Sequence, residues 1–368
     1  MKKITTKFLL LSMLLVSCAT GEVFEKPVVT LELGKQVDGF VFLHDLFEAQ
    51  EWMVLDTCRN SIVSNVDKIE CADNDIYILD KVREKCVYRF SHDGKYVGRI
   101  GSYGKGQGEY VSIYDFTIDP TNGHILILGN DSKVYVYDKT GRFVHSKIVS
   151  KSKLWNIQAT DDGIFMSTNH STFTLGEDAF LLYRFDHSLN YVDKWNQVLP
   201  QYSSVLPMSS FVFQNNSNTL SYIDQKQNRI FLFDKKKNHF NGNIELSFPN
   251  PRPLSHYLDA TLFMEQENQQ KYDWLCEVLN SKEKILTTYF RNGKYCVSVA
   301  DAKNGKILKE GVLAGVMPRI FPLSDNQYIA AFTPDIFIQN HLDEEFSIKP
   351  GQPITADSNL LIVKLKLK

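Results

Sequence analysis

The sequence predicts an all-β chain folded as a six-bladed β-propeller with four-stranded antiparallel blades, on three observations. An apolar strand core that opens a hairpin recurs six times, at Ile76 (IYILD), Ile125 (ILILG), Ile164 (IFMST), Leu220 (LSYID), Ile285 (ILTTYF) and Tyr328 (YIAAFT). The strand after most of these cores ends in a polar turn and restarts. It reads YRFSHDGKYV from Tyr88, YVYDKTGRFV from Tyr135, YRFDHSLNYV from Tyr183, FLFDKKKNHF from Phe231 and, more loosely, VSVADAKNGKIL from Val297. Taking Gly94, Gly141, Leu189, Lys237 and Gly305 as the turn positions, the steps are 47, 48, 48 and 68 residues. That is the period of propeller blades, the last step holding about 20 extra residues after Phe248.

The elements follow in chain order. Lys2, Lys3 and Lys7 precede the apolar run 8–16, which is too short to span a bilayer and reads as a secretory signal. It ends in Leu15-Val16-Ser17-Cys18. Residues 1–17 are therefore expected to be removed and Cys18 lipidated. Residues 18–26 form a tether, and 27–368 form one propeller domain. Segments 27–34 and 51–56 read as strands. So does 359–368, where Leu361, Val363, Leu365 and Leu367 alternate with Lys364, Lys366 and Lys368. Strands from both ends can complete one blade and close the ring, which removes exposed sheet edges.

In the hairpins, Gly94 and Gly141 suit the positive φ of a tight turn. The alternating rings before them (Tyr88, Phe90; Tyr135, Tyr137) fall on one strand face and are expected to pack between blades. The irregular insertion at about 249–271 holds a short helix, with Ser255 as its cap and Leu258 and Leu262 on one side. In a four-stranded meander, connections from strand two to three and from strand four to the next blade share one face. The long segments 168–178, 200–209, 249–271 and 334–358 all fall on that face. Elaboration confined to one face is expected to build a binding surface there.

The lipobox-like Leu-x-Ser-Cys, the six hairpins and GSYGKGQGEYVSIYDFTID (101–119) together resemble the six-bladed β-propeller lipoproteins of Bacteroides-type bacteria, whose repeats are NHL-like. The hallmark of that family stands here as Asp80, 90–95 and 104–110, with Gln107 where Pro is usual. The resemblance implies the propeller fold, a cell-envelope location as an outer-membrane lipoprotein, periplasmic or surface-exposed, and a loose association with glycan-utilisation systems. Glu22 and Glu25, close behind Cys18, agree with surface export.

Composition narrows the chemistry. Loss of residues 1–17 removes three lysines and no acid, which moves the formal charge from −2 to −5. A net acidic chain gives no reason to expect a nucleic-acid partner. Five further cysteines (Cys58, Cys71, Cys86, Cys276, Cys296) make an odd set without CxxC, so they form no complete disulfide framework within one chain. The glycine-rich stretch 101–108 lacks GxxxxGK[ST] and runs into a strand, so it is a loop between blades rather than a phosphate cradle. Histidine spacing offers no zinc motif, and no GxSxG elbow occurs.

The leading function is non-catalytic binding or scaffolding, in glycan capture or an envelope complex, with the membrane reached through the lipid. Ligand-binding candidates on the elaborated side are Tyr103, Glu109, Tyr110, Trp155, Tyr202 and Tyr257. For Glu109 a local hydrogen-bonding role competes with ligand contact. Two alternatives stand beside this reading. One is a lactonase- or lyase-type enzyme holding calcium in the channel through Glu109, Asp115 and Asn156, since calcium needs several oxygens. The other is a protein-interaction hub.

Overall fold

A computed structural model describes residues 27–171, 180–198 and 212–368. The signal segment, Cys18, the tether and Tyr202 lie outside the described residues.

Six antiparallel sheets follow one another along the chain. Blade one comprises Lys68–Ala72, Asp75–Asp80, Cys86–Phe90 and Tyr96–Ile100. Blade two comprises Ile113–Ile118, Ile125–Gly129, Lys133–Tyr137 and Phe143–Ile148. Blade three comprises Asn156–Thr160, Gly163–Ser167, Phe180–Phe185 and Tyr191–Gln197. Blades four and five run Phe213–Asn215 to His239–Ser247 and Trp274–Asn280 to Ile307–Leu313. In blade six, Ile320–Ser324, Gln327–Phe332 and Leu361–Leu367 are completed at the outer edge by Phe47–Val54. The first strands of the blades abut one another around the axis, and those of blades six and one meet to close the ring.

Closure from both ends thus uses the second of the two N-terminal strands. The first goes elsewhere. Val29–Glu32 pairs in parallel with the outermost strand of blade four, and Phe40–Val41 does the same on blade five. Residues 29–54 therefore form a belt across the outer edges of three successive blades, and the sheets of blades four and five have five strands instead of four. Small residues under the belt make this possible: a Cβ on Gly242 would lie 2.5 Å from Val28, and one on Gly311 2.7 Å from Val41.

Packing lies between blades, as expected of sheets buried on both faces. One cluster joins Tyr77, Leu79 and Val87 of blade one to Ile113, Phe116 and Tyr137 of blade two. The alternating rings Tyr88, Phe90, Tyr135 and Tyr137 are all buried. Trp52 of the belt packs edge-on against Phe337 at 5.0 Å and Phe346 at 6.1 Å. These rings fasten the helical connection of blade six, Pro334–Gln339 and Leu342–Glu345, to the barrel wall.

The hairpin turns share one device. Gly94, Gly141, Leu189, Asn238 and Gly305 all adopt positive φ. In blade four the left-handed residue is Asn238, one beyond Lys237, and Asn tolerates that conformation better than most side chains. Before four of these turns an aspartate closes the loop. Asp138, Asp186, Asp234 and Asp301 each accept backbone N–H bonds at 2.8–3.2 Å from residues two to four positions on.

The insertion after blade four differs from the single Ser255-capped helix expected. It holds three short helices, Leu254–Leu258, Ala260–Met264 and Gln266–Lys271. Asp259 is the cap: its Oδ1 accepts from Thr261 N at 2.8 Å and Leu262 N at 3.3 Å. This caps the second helix; the first starts after Pro253 with no side-chain cap, and Ser255 lies inside it, where its hydroxyl cannot act as an N-cap.

Candidate functional site

The blade register puts the ends of the strands Gly163–Ser167, Tyr191–Gln197, His239–Ser247 and Gln327–Phe332, from which the long connections leave, on one face; among the described residues the other face holds short turns. Residues 172–179 and 199–211 of those connections lie outside the described residues. On the elaborated face the first strands begin, and their opening residues line the axial mouth.

At the centre sits Lys68, whose side chain is 4% exposed. Its Nζ lies 2.9 Å from Glu70 Oε1 and 3.3 Å from Asp115 Oδ1. It also donates to Phe116 O at 2.7 Å and Ile157 O at 3.2 Å. One ammonium thereby ties the first strands of blades one, two and three. Burial penalises the charge, but Asp115 and Glu70 outweigh that penalty and hold the amine above its ordinary value. Lys68 and Glu70 reach the same node because alternate residues of a strand share a face.

Further out lie Lys81 and Arg319. Arg319 is half-exposed; it approaches Asp67 Oδ1 at 3.7 Å and Val66 O at 3.4 Å. Burial lowers the Lys81 amine, and Asp115 and Asp67 offset only part of that effect. Glu277 of blade five is raised by burial, with Arg319 opposing. Beside this mouth, Trp155 lies against Tyr114 with ring centroids 4.7 Å apart, and Lys153 Nζ stands 4.2 Å from the indole. The face thus holds a partly buried lysine, Lys81, a half-exposed arginine, Arg319, and an aromatic pair under Lys153. Such a set can pair with an anionic group and stack a flat apolar face.

The sequence candidates separate into distinct places. Asp115 and Asn156 begin adjacent first strands and are both buried. Asp115 Oδ2 accepts from Ile157 N at 3.0 Å, and Asn156 Oδ1 accepts from Ser167 Oγ at 3.1 Å. Both Asp115 oxygens are thus engaged by protein donors. Glu109 is held in the inter-blade loop, where its Oε2 accepts from Gly106 N at 2.7 Å. A Cβ on Gly104 would sit 2.0 Å from the same oxygen, so the glycine-rich loop is the cradle of this carboxylate. Among the described residues, no group of three or more His, Cys, Asp or Glu is placed to hold a metal ion.

Tyr110 is buried with its ring 5.6 Å from that of Tyr135, and Tyr257 is buried against Phe263 at 5.8 Å. Both belong to packing layers in this structure. Tyr103 is 60% exposed, with Lys85 Nζ 4.3 Å from its ring. Of the described aromatic candidates, Trp155 and Tyr103 therefore present surface. Sequence reasoning missed Lys68, Glu70, Lys81 and Arg319. The alternation Lys68-x-Glu70 at the start of a first strand was the available signal, since two charges on one face of a packed strand need partners.

The described cysteines are free thiols. Burial pushes Cys86 up to about 12.

Comparison with known proteins agrees with the architecture. A "putative exported protein" from Bacteroides fragilis NCTC 9343 superposes with a TM-score of 0.69 at 15% identity, covering 92% of this chain and 99% of that one. At that identity the likeness shows the fold alone. The WD40 repeats of RRP9 align at TM-score 0.44 and 11% identity, over 88% of this chain and all of that one. No curated protein matches the sequence significantly. The family described as "Domain of unknown function (DUF4934)" matches residues 29–366, and the chain belongs to that family.

Proposed function

We propose that this chain is a lipid-anchored envelope propeller that binds a polar ligand, an acidic glycan in the first instance, on its elaborated face without transforming it. The observation that carries this reading is the elaborated face itself: it holds Lys81 and Arg319 and also the Trp155–Tyr114 pair with Lys153 over the indole. Stacking rings with adjacent cations suit a sugar bearing carboxylates. Beneath this face the Lys68 node ties the first strands of three blades together. The lipobox-like segment ending at Cys18, the NHL-like resemblance and the exported Bacteroides neighbour support export to the envelope and anchorage in the outer membrane.

The full chain in detergent, titrated with neutral and uronic-acid oligosaccharides, tests this. Saturable binding to the acidic set, weakened about tenfold by Arg319→Ala or Trp155→Ala at unchanged melting temperature, is expected; a tenfold change is about 1.4 kcal/mol, within reach of one charged hydrogen bond. Binding that ignores both substitutions, or release of shorter sugars, overturns it. One observation favours a protein partner as the second reading. The helical connections of the same face expose Met264 (66%) and Ile338 (43%).

A further inference from the structure

The short-turn face is electrically divided. In blades four and five its turns carry Lys235, Lys236, Lys237, Lys282, Lys303 and Lys306, against Glu283. All of these lysines but Lys235 are exposed. Asp234 and Asp301, at the edges of these turns, accept backbone N–H bonds within them, and Asp234 approaches Lys237 at 3.6 Å. Across the ring the balance reverses. With the pre-turn aspartates counted in both sectors, blades four and five set six lysines against Asp234, Glu283 and Asp301, whereas the turns of blades one to three set Asp73, Asp93, Asp119, Asp138, Asp161, Asp162 and Asp186 against Lys95, Lys139 and Arg142.

A second observation falls in the same sector. Val29–Glu32 runs parallel to His239–Ser247, with Val29 beside Ile244 and Val28 N donating to Asn243 O at 2.8 Å. His239–Ser247 starts at the short-turn face and ends at the elaborated one. The belt therefore enters from the short-turn side of blade four, beside the lysine turns. Gly305 of the next lysine-bearing turn abuts it: a Cβ there would lie 2.5 Å from Thr30 O.

We infer that the short-turn face of blades four and five lies against an anionic lipid surface, with the elaborated face pointing away from the membrane. This rests on the lipid-anchor reading of Cys18 and fixes the orientation that the anchor alone leaves open. The lipid holds the chain at the membrane but leaves its tilt free, and each lysine near the surface adds attraction to anionic lipid. The acidic sector of blades one to three is repelled by the same surface, so the molecule has a single preferred tilt. The lysine turns are thereby more than solvated hairpin tips.

The test uses the full chain in vesicles of phosphatidylcholine with phosphatidylglycerol, carrying a lipid-headgroup quencher. A fluorophore is placed by Lys236→Cys or by Met264→Cys, in a Cys58→Ser/Cys71→Ser background. Strong quenching at 236 and weak quenching at 264 is expected, with the contrast lost when phosphatidylglycerol is omitted. Equal quenching, or stronger quenching at 264, overturns the inference. The mass of the N-terminal peptide reads lipidation separately. If Cys18 carries no lipid, the anchor reading fails, and vesicle flotation then decides the lysine face. Lys235→Glu/Lys237→Glu/Lys303→Glu must weaken flotation roughly a hundredfold. Unchanged flotation overturns the lysine face as well.

Discussion

Replacing Lys68 by Met should be among the most damaging single changes in the protein. The ammonium is buried and contacts two carboxylates and two carbonyls from three blades. Met fills most of the volume, so the cavity contribution is small. What is lost is the compensation of Glu70 and Asp115, left as buried charges. Removing one partner of a buried ion pair costs about 3–5 kcal/mol. With an unfolding entropy of about 2.1 cal/mol/K per residue, a propeller of this size should lose roughly 4–7 °C in melting temperature. Urea unfolding followed by tryptophan fluorescence gives the free energy directly. The triple variant Lys68→Met/Glu70→Gln/Asp115→Asn removes the orphaned charges and keeps one acceptor oxygen at each position, although Asp115 uses both of its oxygens on the N–H groups of Phe116 and Ile157, so it should recover part of the loss. A cost below about 1 kcal/mol for the single variant, or a triple variant less stable still, would refute the assignment of Lys68 as the axial tie.

Four other expectations follow from the geometry. Burial lowers the Lys226 amine to about 8, with Asp224 opposing. Between that value and its unfolded pKa the unfolded chain binds more protons, so this residue should make stability rise from about pH 8 to pH 10.5. Subtracting the Lys226→Met profile from that of the native chain should isolate a rise on the order of 2–3 kcal/mol, and a flat difference would count against the burial. Gly104→Ala displaces Glu109 from its cradle and should destabilise by about 1–3 kcal/mol, whereas Gly315→Ala, with no neighbour near its Cβ, should cost only its backbone strain. Gly242→Val should push Val28 off blade four, seen as faster amide exchange at Val28 and Leu33, whose N–H groups donate to that blade. Hydrogen bonding to Ser61 lowers the Cys58 thiol, whereas Cys86 and Cys296 are buried, so iodoacetamide should modify Cys58 first and the buried pair only on unfolding.

The blade count was legible because all six blades repeat an apolar second strand and the first five add a turn that needs a left-handed residue. That requirement is local, and it writes itself into the sequence as Gly94, Gly141 or Asn238. Closure was legible for 51–56, since an alternating C-terminal strand needs an outer neighbour. The destination of Val29–Glu32 was not: a short apolar strand fits any open edge, and only the glycines at 242 and 311 mark which edges admit it. The site was read less well. Tyr110 and Tyr257 have the composition of ligand-stacking residues, but a ring's exposure is decided by neighbours far away in sequence. Asp115 looked like a metal ligand because its partner Lys68 lies 47 positions earlier, on another blade. The Lys68-x-Glu70 alternation hints that the strand carries a charged node, but nothing in the sequence names Asp115 as its partner on the next blade.

The central claim is that ligand binding belongs to the elaborated face. Hydrogen exchange on the full chain, free and saturated with the best-binding acidic oligosaccharide, tests it most directly. Protection should appear at the mouth, around 65–68, 112–116, 153–157 and 318–320, and in the helices 254–271, with the turns of the opposite face unchanged. Protection confined to those turns, or consumption of the sugar during the experiment, would contradict the account.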